Sequence, residues 1–125
     1  MLAGVVKSLV EAGDFLEESG YQAMRRLNRR APDLDAVFVA SDLMAAGALR
    51  ALRDAGRRVP DDVAVIGFDD ASLAEHTVPP LTTIHQPLDE MSRVTAELLL
   101  RQLSDGVLAE ARVICPTTLV RRGSA

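Results

Sequence analysis

Lysine is almost missing from this chain: Lys7 is the only one in 125 residues, and arginine carries the rest of the positive charge. The formal net charge is −4, so the chain lacks the basic footprint that nucleic acid requires. Arg25, Arg26, Arg29 and Arg30 do cluster, but at the end of an expected helix, where cations suit the dipole and water. Cysteine is limited to Cys115, which excludes an internal disulfide. In the run Val113-Ile114-Cys115-Pro116 it reads as a buried strand residue. Aromatic residues make up only 3% and tryptophan is absent, so the core must be mostly Ala, Val, Leu and Ile. No apolar run approaches the ~20 residues that cross a bilayer, and the first seven residues are too weakly apolar for a secretory signal. The expected location is therefore cytoplasmic, with no membrane partner. His76 and His85 stand alone, without a second ligand at metal spacing. No phosphate-binding glycine loop, nucleophile elbow or zinc helix occurs. Neither an enzyme, a metal site nor a cofactor is expected.

What is present is organised around residues 36–70. Ala36-Val37-Phe38-Val39-Ala40 is a continuous apolar run, as expected of a parallel strand covered on both faces. Ser41 or Asp42 is placed to cap the helix that follows, from Leu43 to Ala55, and Gly56 to end it. Val63 to Gly67 forms a second apolar run, closed by Phe68-Asp69-Asp70. The helix between them is apolar nearly all round, which implies cover on more than one side. In so short a chain a partner subunit is the expected source of the second cover.

Either side of this unit the pattern continues. Ser8 to Glu11 reads as a short strand. Glu17 to Arg30 reads as a helix with Gly20, Ala23, Met24 and Leu27 on one stripe. Ala71 to Pro80 is a stiff loop, Leu81 to Gln86 a strand, and Pro87 sits at the first position of a helix that Ser104-Asp105-Gly106 closes. Arg112 to Leu119 is a last extended segment and Arg121 to Ala125 a tail. The order predicts an α/β fold with a mostly parallel sheet flanked by helices.

In such a sheet ligands bind beyond the carboxyl ends of the strands. Those ends carry Phe15, Ser41, Asp42, Phe68 and Asp69. A ring face and carboxylates suit a small polar ligand with ring surface and hydroxyl or N–H donors. Each residue alone has a local explanation, as core, cap or turn former; together they point to a ligand cleft.

The stretch Ser41 to Leu52, with Gly56, then Val59-Pro60-Asp61-Asp62 to Asp70 and Pro79-Pro80-Leu81-Thr82-Thr83-Ile84-His85-Gln86-Pro87, resembles the lactose/galactose repressor family of bacterial transcription regulators. Gly13-Asp14-Phe15 and Ser19-Gly20-Tyr21 fit the same pattern. The resemblance implies the carboxy-terminal part, residues 1–125, of an effector-binding domain of the periplasmic-binding-protein-like type, an incomplete lobe without a DNA-binding domain. It implies that Phe15 stacks on a sugar or nucleobase, that Ser41 and Asp42 line the cleft, and that Asp69 hydrogen-bonds the ligand with Phe68 beside it. It implies a homodimer held by the helix, through Met44, Ala45, Ala48, Leu49 and Leu52, and by the loop, through Leu73, His76 and Val78. Residues 87–106 are expected to belong to the other lobe. Operator DNA is expected to be contacted only through a helix-turn-helix that these residues do not supply. Part of a sugar-binding protein of a transport system and a ligand-free α/β interaction module are the alternative readings.

Overall fold

A computed structural model describes residues 9–106 and 112–125. Helix α1 spans Glu17–Arg30, strand β1 Ala36–Phe38, helix α2 Asp42–Asp54 and strand β2 Ala64–Asp69. A 3-10 turn at Ser72–Glu75 leads to β3, Thr82–His85; helix α3 is Leu88–Asp105 and strand β4 Thr118–Val120. The sheet has the order β1-β2-β3-β4. β1, β2 and β3 run parallel, and β4 lies antiparallel to β3. The α/β class and mostly parallel sheet expected from the sequence are therefore present.

Helix α1 follows its pattern closely. Gly20, Ala23, Met24 and Leu27 are its buried residues, with Glu17 and Glu18 in the first turn and Arg29 and Arg30 in the last. This stripe packs on α2, and α2 packs on β2. Two glycines set the depth of the crossing. A Cβ at Gly20 would run into the backbone of Met44, and one at Gly47 into the backbone of Glu17 and Tyr21. The helices thus approach as closely as backbone allows. The core joins Met24 and Leu27 to Ala45, Ala48 and Leu52, and through them to Val63, Val65 and Leu81.

That packing corrects the reading of α2. Its second cover comes from α1 of the same chain. Met44, Ala45, Ala48, Leu49 and Leu52, expected at a subunit interface, are 0–8% exposed. The outer face that remains carries Leu43, Ala46, Arg50 and Arg53, which are exposed or half-buried.

Other expectations shift for physical reasons. Leu9–Glu11 forms no strand; the Glu11 carboxylate instead pairs with Arg26 and Arg30 at 2.7 and 2.8 Å. Ser8 and Lys7 lie outside the described residues. β1 is shorter than the apolar run and sits at the sheet edge, so Phe38 is 62% exposed rather than covered on both faces. Pro87 is the N-cap of α3, one place earlier than expected. The final strand is confined to Thr118–Val120, the residues that pair with β3. Pro116 has no N–H for a ladder, and Cys115, three residues before the strand, is half-buried in irregular backbone.

Arg121–Ala125 is the largest departure, because its residues are built into the sheet. Ser124 is fully buried. Its hydroxyl donates to the Val65 carbonyl at 2.6 Å and accepts the Thr82 N–H at 2.8 Å, while its carbonyl accepts the Val65 N–H at 2.8 Å. The segment thus clasps β2 to β3 where their own ladder begins.

Candidate functional site

The parallel direction of β1, β2 and β3 brings their carboxyl ends to one edge. Beyond β1 the chain passes through Val39 and Ala40 into Ser41 and Asp42. Ser41 is the N-cap of α2, its Oγ accepting the Met44 N–H at 3.3 Å. Asp42 has no solvent exposure. Its Oδ1 accepts the Thr83 hydroxyl at 2.5 Å and its Oδ2 the Ala71 N–H at 2.8 Å. Burial pushes the Asp42 carboxyl above the usual range, the nearby Asp69 and Asp70 charges add to that, and the two hydrogen bonds oppose it. A Cβ on Gly67 would meet Asp42 Oδ1, so this carboxylate occupies the space a side chain would take. Cleft-lining side chains were expected at Ser41 and Asp42. Both point inward, and their oxygens are spent on α2, β3 and the turn after β2.

Asp69 ends β2, with φ 126°, and Asp70 follows at φ 59°. Consecutive left-handed residues turn the chain sharply away from the strand. Asp69 Oδ1 accepts the Gln86 side-chain amide at 2.7 Å; its Oδ2 accepts no hydrogen bond from the described residues. Asp70 is bound on both oxygens, by Arg122 at 2.8 Å and by His85 Nδ1 at 3.0 Å. The Arg122 guanidinium is the main reason that its carboxyl lies below the ordinary range; burial works the other way and His85 lowers it further. Asp69 is therefore the acidic side chain left half-buried at the strand ends with acceptor capacity to spare.

Phe15 sits before α1 at φ 67° and is 62% exposed. Its loop is tied on either side. Ser19 Oγ accepts the Asp14 N–H and donates to the Leu16 carbonyl, and Asp14 Oδ1 accepts the Leu16 N–H. With its neighbours fixed, the ring faces out over a cavity of about 500 Å³ that Phe38, Ala40 and Met44 also line. Phe38 in turn meets Phe68 edge to face, ring centroids 6.4 Å apart. Phe15 and Phe38 thus line one cavity, Phe38 meets Phe68, and Phe68 precedes Asp69. Sequence reasoning placed Phe38 inside a covered strand and gave Gln86, His85 and Arg122 no role. A register argument finds His85, which lies opposite Asp69; no local signal marks Arg122.

Chemically this edge offers a flat aromatic surface and hydrogen-bond acceptors. Among the described residues no group of three or more His, Cys, Asp or Glu is placed to hold a metal ion, and no helix is long and apolar enough to cross a membrane.

Residues 4–125 match the family model described as a periplasmic binding protein-like domain. The HTH-type transcriptional regulator CelR of Thermobifida fusca is 50% identical over 118 residues, 94% of this chain and 35% of that protein. The ribose operon repressor of Escherichia coli K12 is 42% identical over 113 residues, 90% of this chain and 34% of that protein. The chain therefore spans about a third of the length of these relatives. Among solved structures, a transcriptional regulator CelR–cellobiose complex superposes with a TM-score of 0.93 at 49% identity, over 97% of this chain and 37% of that one. The lac repressor dimer bound to operator and the anti-inducer ONPF gives 0.82 at 36% identity, over 90% of this chain and 39% of that one. The chain belongs to the periplasmic binding protein-like family, and its relatives there are transcriptional regulators of the lactose/galactose repressor type.

Proposed function

We propose that this chain is the carboxy-terminal, effector-sensing and dimerising part of a bacterial transcriptional regulator whose affinity for operator DNA changes when a small molecule binds. The observation that carries the reading is the Asp69 carboxylate at the carboxyl edge of the parallel sheet, partly accessible, with one oxygen free of partners among the described residues. A sugar or a nucleobase presents the hydroxyl or N–H donors it would accept, and the exposed Phe15 ring presents the flat face such a ligand stacks on. Phe68 stands beside them. Ser41 and Asp42 serve this site from behind. The work is binding rather than catalysis. Operator contact belongs to a helix-turn-helix outside these 125 residues, and a cytoplasmic location follows from that task.

The dimer contact is drawn more narrowly than the sequence suggested. It uses the outer face of α2, through Leu43 and Ala46, with Leu73, His76 and Val78 of the following turn. Val78 is 80% exposed, and a groove of about 240 Å³ runs between it and Ala46, Leu49 and Arg50. Helix α3, with Leu99, Leu100 and Leu103 exposed and no buried residue, belongs on this reading to the second lobe.

The test is calorimetric titration of the intact polypeptide that carries this chain with cellobiose, ribose and hypoxanthine. One of these should bind, and Asp69→Ala should weaken it about 10- to 100-fold, the worth of a hydrogen bond to a charged group. Wild-type affinity in Asp69→Ala would remove the site from this edge.

A further inference from the structure

Asp69 and Asp70 hold left-handed backbone without being glycine, a strained arrangement that persists only where the surroundings fix it. Two side chains from distant parts of the sequence supply that fixing. From one side, Asp42 at the start of α2 accepts the Ala71 N–H at 2.8 Å and is itself anchored to β3 by the Thr83 hydroxyl. From the other, Arg122 donates to Asp70 Oδ1 at 2.8 Å and to the Leu81 carbonyl at 3.0 Å. Its side chain is only 15% exposed. Neither Asp42 nor Arg122 hydrogen-bonds Asp69; Arg122 binds the residue after Asp69 and Asp42 the one beyond.

We propose that Asp42 and Arg122 are positioning residues, which tie residues 71 and 70 to α2 and to the segment after β4 and so hold Asp69 in the one orientation that meets the effector. The inference rests on the sensor reading above. It gives the buried carboxylate of Asp42 a purpose: among the described residues no cation pairs with it, and it ties the effector turn to α2, the helix whose outer face is exposed. It also explains why the last residues of the chain run back across the sheet. Arg122 is held there by its own bonds, its N–H donating to Thr82 Oγ1 at 2.9 Å and its guanidinium to the Leu81 carbonyl, while Ser124 fastens the segment beyond it to Val65 and Thr82.

The experiment compares Arg122→Met, Arg122→Lys, Asp42→Asn and Ser124→Ala in the intact polypeptide. Cellobiose, ribose and hypoxanthine affinities are read by calorimetry, and amide hydrogen exchange over residues 68–73 by mass spectrometry. Ser124→Ala is the control, because it loosens the same segment without removing a bond to the turn. Arg122→Met and Asp42→Asn should raise the Kd of the bound probe at least tenfold and speed exchange at residues 70–71. Ser124→Ala should lower the melting temperature with Kd within twofold of wild type. Arg122→Lys, which keeps the charge but not the paired donors, should fall between. The double variant Arg122→Met with Asp70→Asn should bind no worse than Arg122→Met alone, since one acts through the other. Affinity unchanged in Arg122→Met and Asp42→Asn, or lost equally in Ser124→Ala, overturns the positioning role and leaves the sensor reading intact. A wild-type protein that binds none of the three probes overturns the sensor reading, and this inference with it.

Discussion

Ser41 and Asp42 are neighbours at the start of α2 and do different things. Ser41 satisfies a free helix N–H, and Ser41→Ala should cost about 1 kcal/mol in a urea melt. Asp42 reaches across the sheet instead. Asp42 and Asp70 also have opposite acid behaviour. Arg122 first, then His85, holds Asp70 below its ordinary value of 3.8 against the effect of burial. A carboxyl lowered in the folded state adds stability above its unfolded value and loses it as pH falls through the folded one. Asp70→Asn should therefore cost about 1–3 kcal/mol at pH 7, and the gap from wild type should close as pH drops below 3.8. A gap that stays constant to low pH would mean that the Arg122 pair adds nothing. Asp42 is raised by burial, so its cost to stability grows as pH rises from 3.8 through its folded value. Wild type should lose ground to Asp42→Asn over that interval.

At the scale of elements, the α1–α2 crossing depends on Gly20 and Gly47. Alanine is the better helix former by about 1 kcal/mol. At Gly47 it would nonetheless press on the Glu17 backbone, and Gly47→Ala should destabilise by about 1–3 kcal/mol, as overpacking does. An equal or higher denaturation midpoint would show that the helices separate freely. Both helices were legible in the sequence. The stripe Gly20, Ala23, Met24, Leu27 has the helical period, and Gly56 ends α2 in the left-handed conformation that glycine tolerates. What covers α2 was not legible, because an all-round apolar helix looks the same whether its second neighbour belongs to its own chain or to another. The carboxyl-terminal clasp was invisible for a related reason. Ser124 and Arg122 bond to groups some 40 to 60 residues away, and polar side chains of that kind leave no period. At the site, Asp69 and Phe15 stood out because strand ends and φ-tolerant turns have composition. The inward turn of Asp42 did not, since a capping residue and a buried acceptor share the same place in the sequence.

For the whole molecule, the proposed assembly uses the outer face of α2 and the turn after β2. On the proposed reading the intact polypeptide is a dimer in light scattering at micromolar concentration. Leu43→Asp and Val78→Asp should each drive it toward the monomer mass without lowering the melting temperature of a protomer whose core lies elsewhere. Dimers unaffected by both changes would place the contact on another surface. The hydroxyl that joins Val65 to Thr82 belongs to Ser124, and the guanidinium that steadies the turn belongs to Arg122. In the order of synthesis α1, α2 and α3 all precede both groups. A product ending just ahead of Arg122 keeps every residue of the hydrophobic core and lacks the clasp between β2 and β3 and the Asp70 partner, so limited proteolysis should cut it faster than the longer chain.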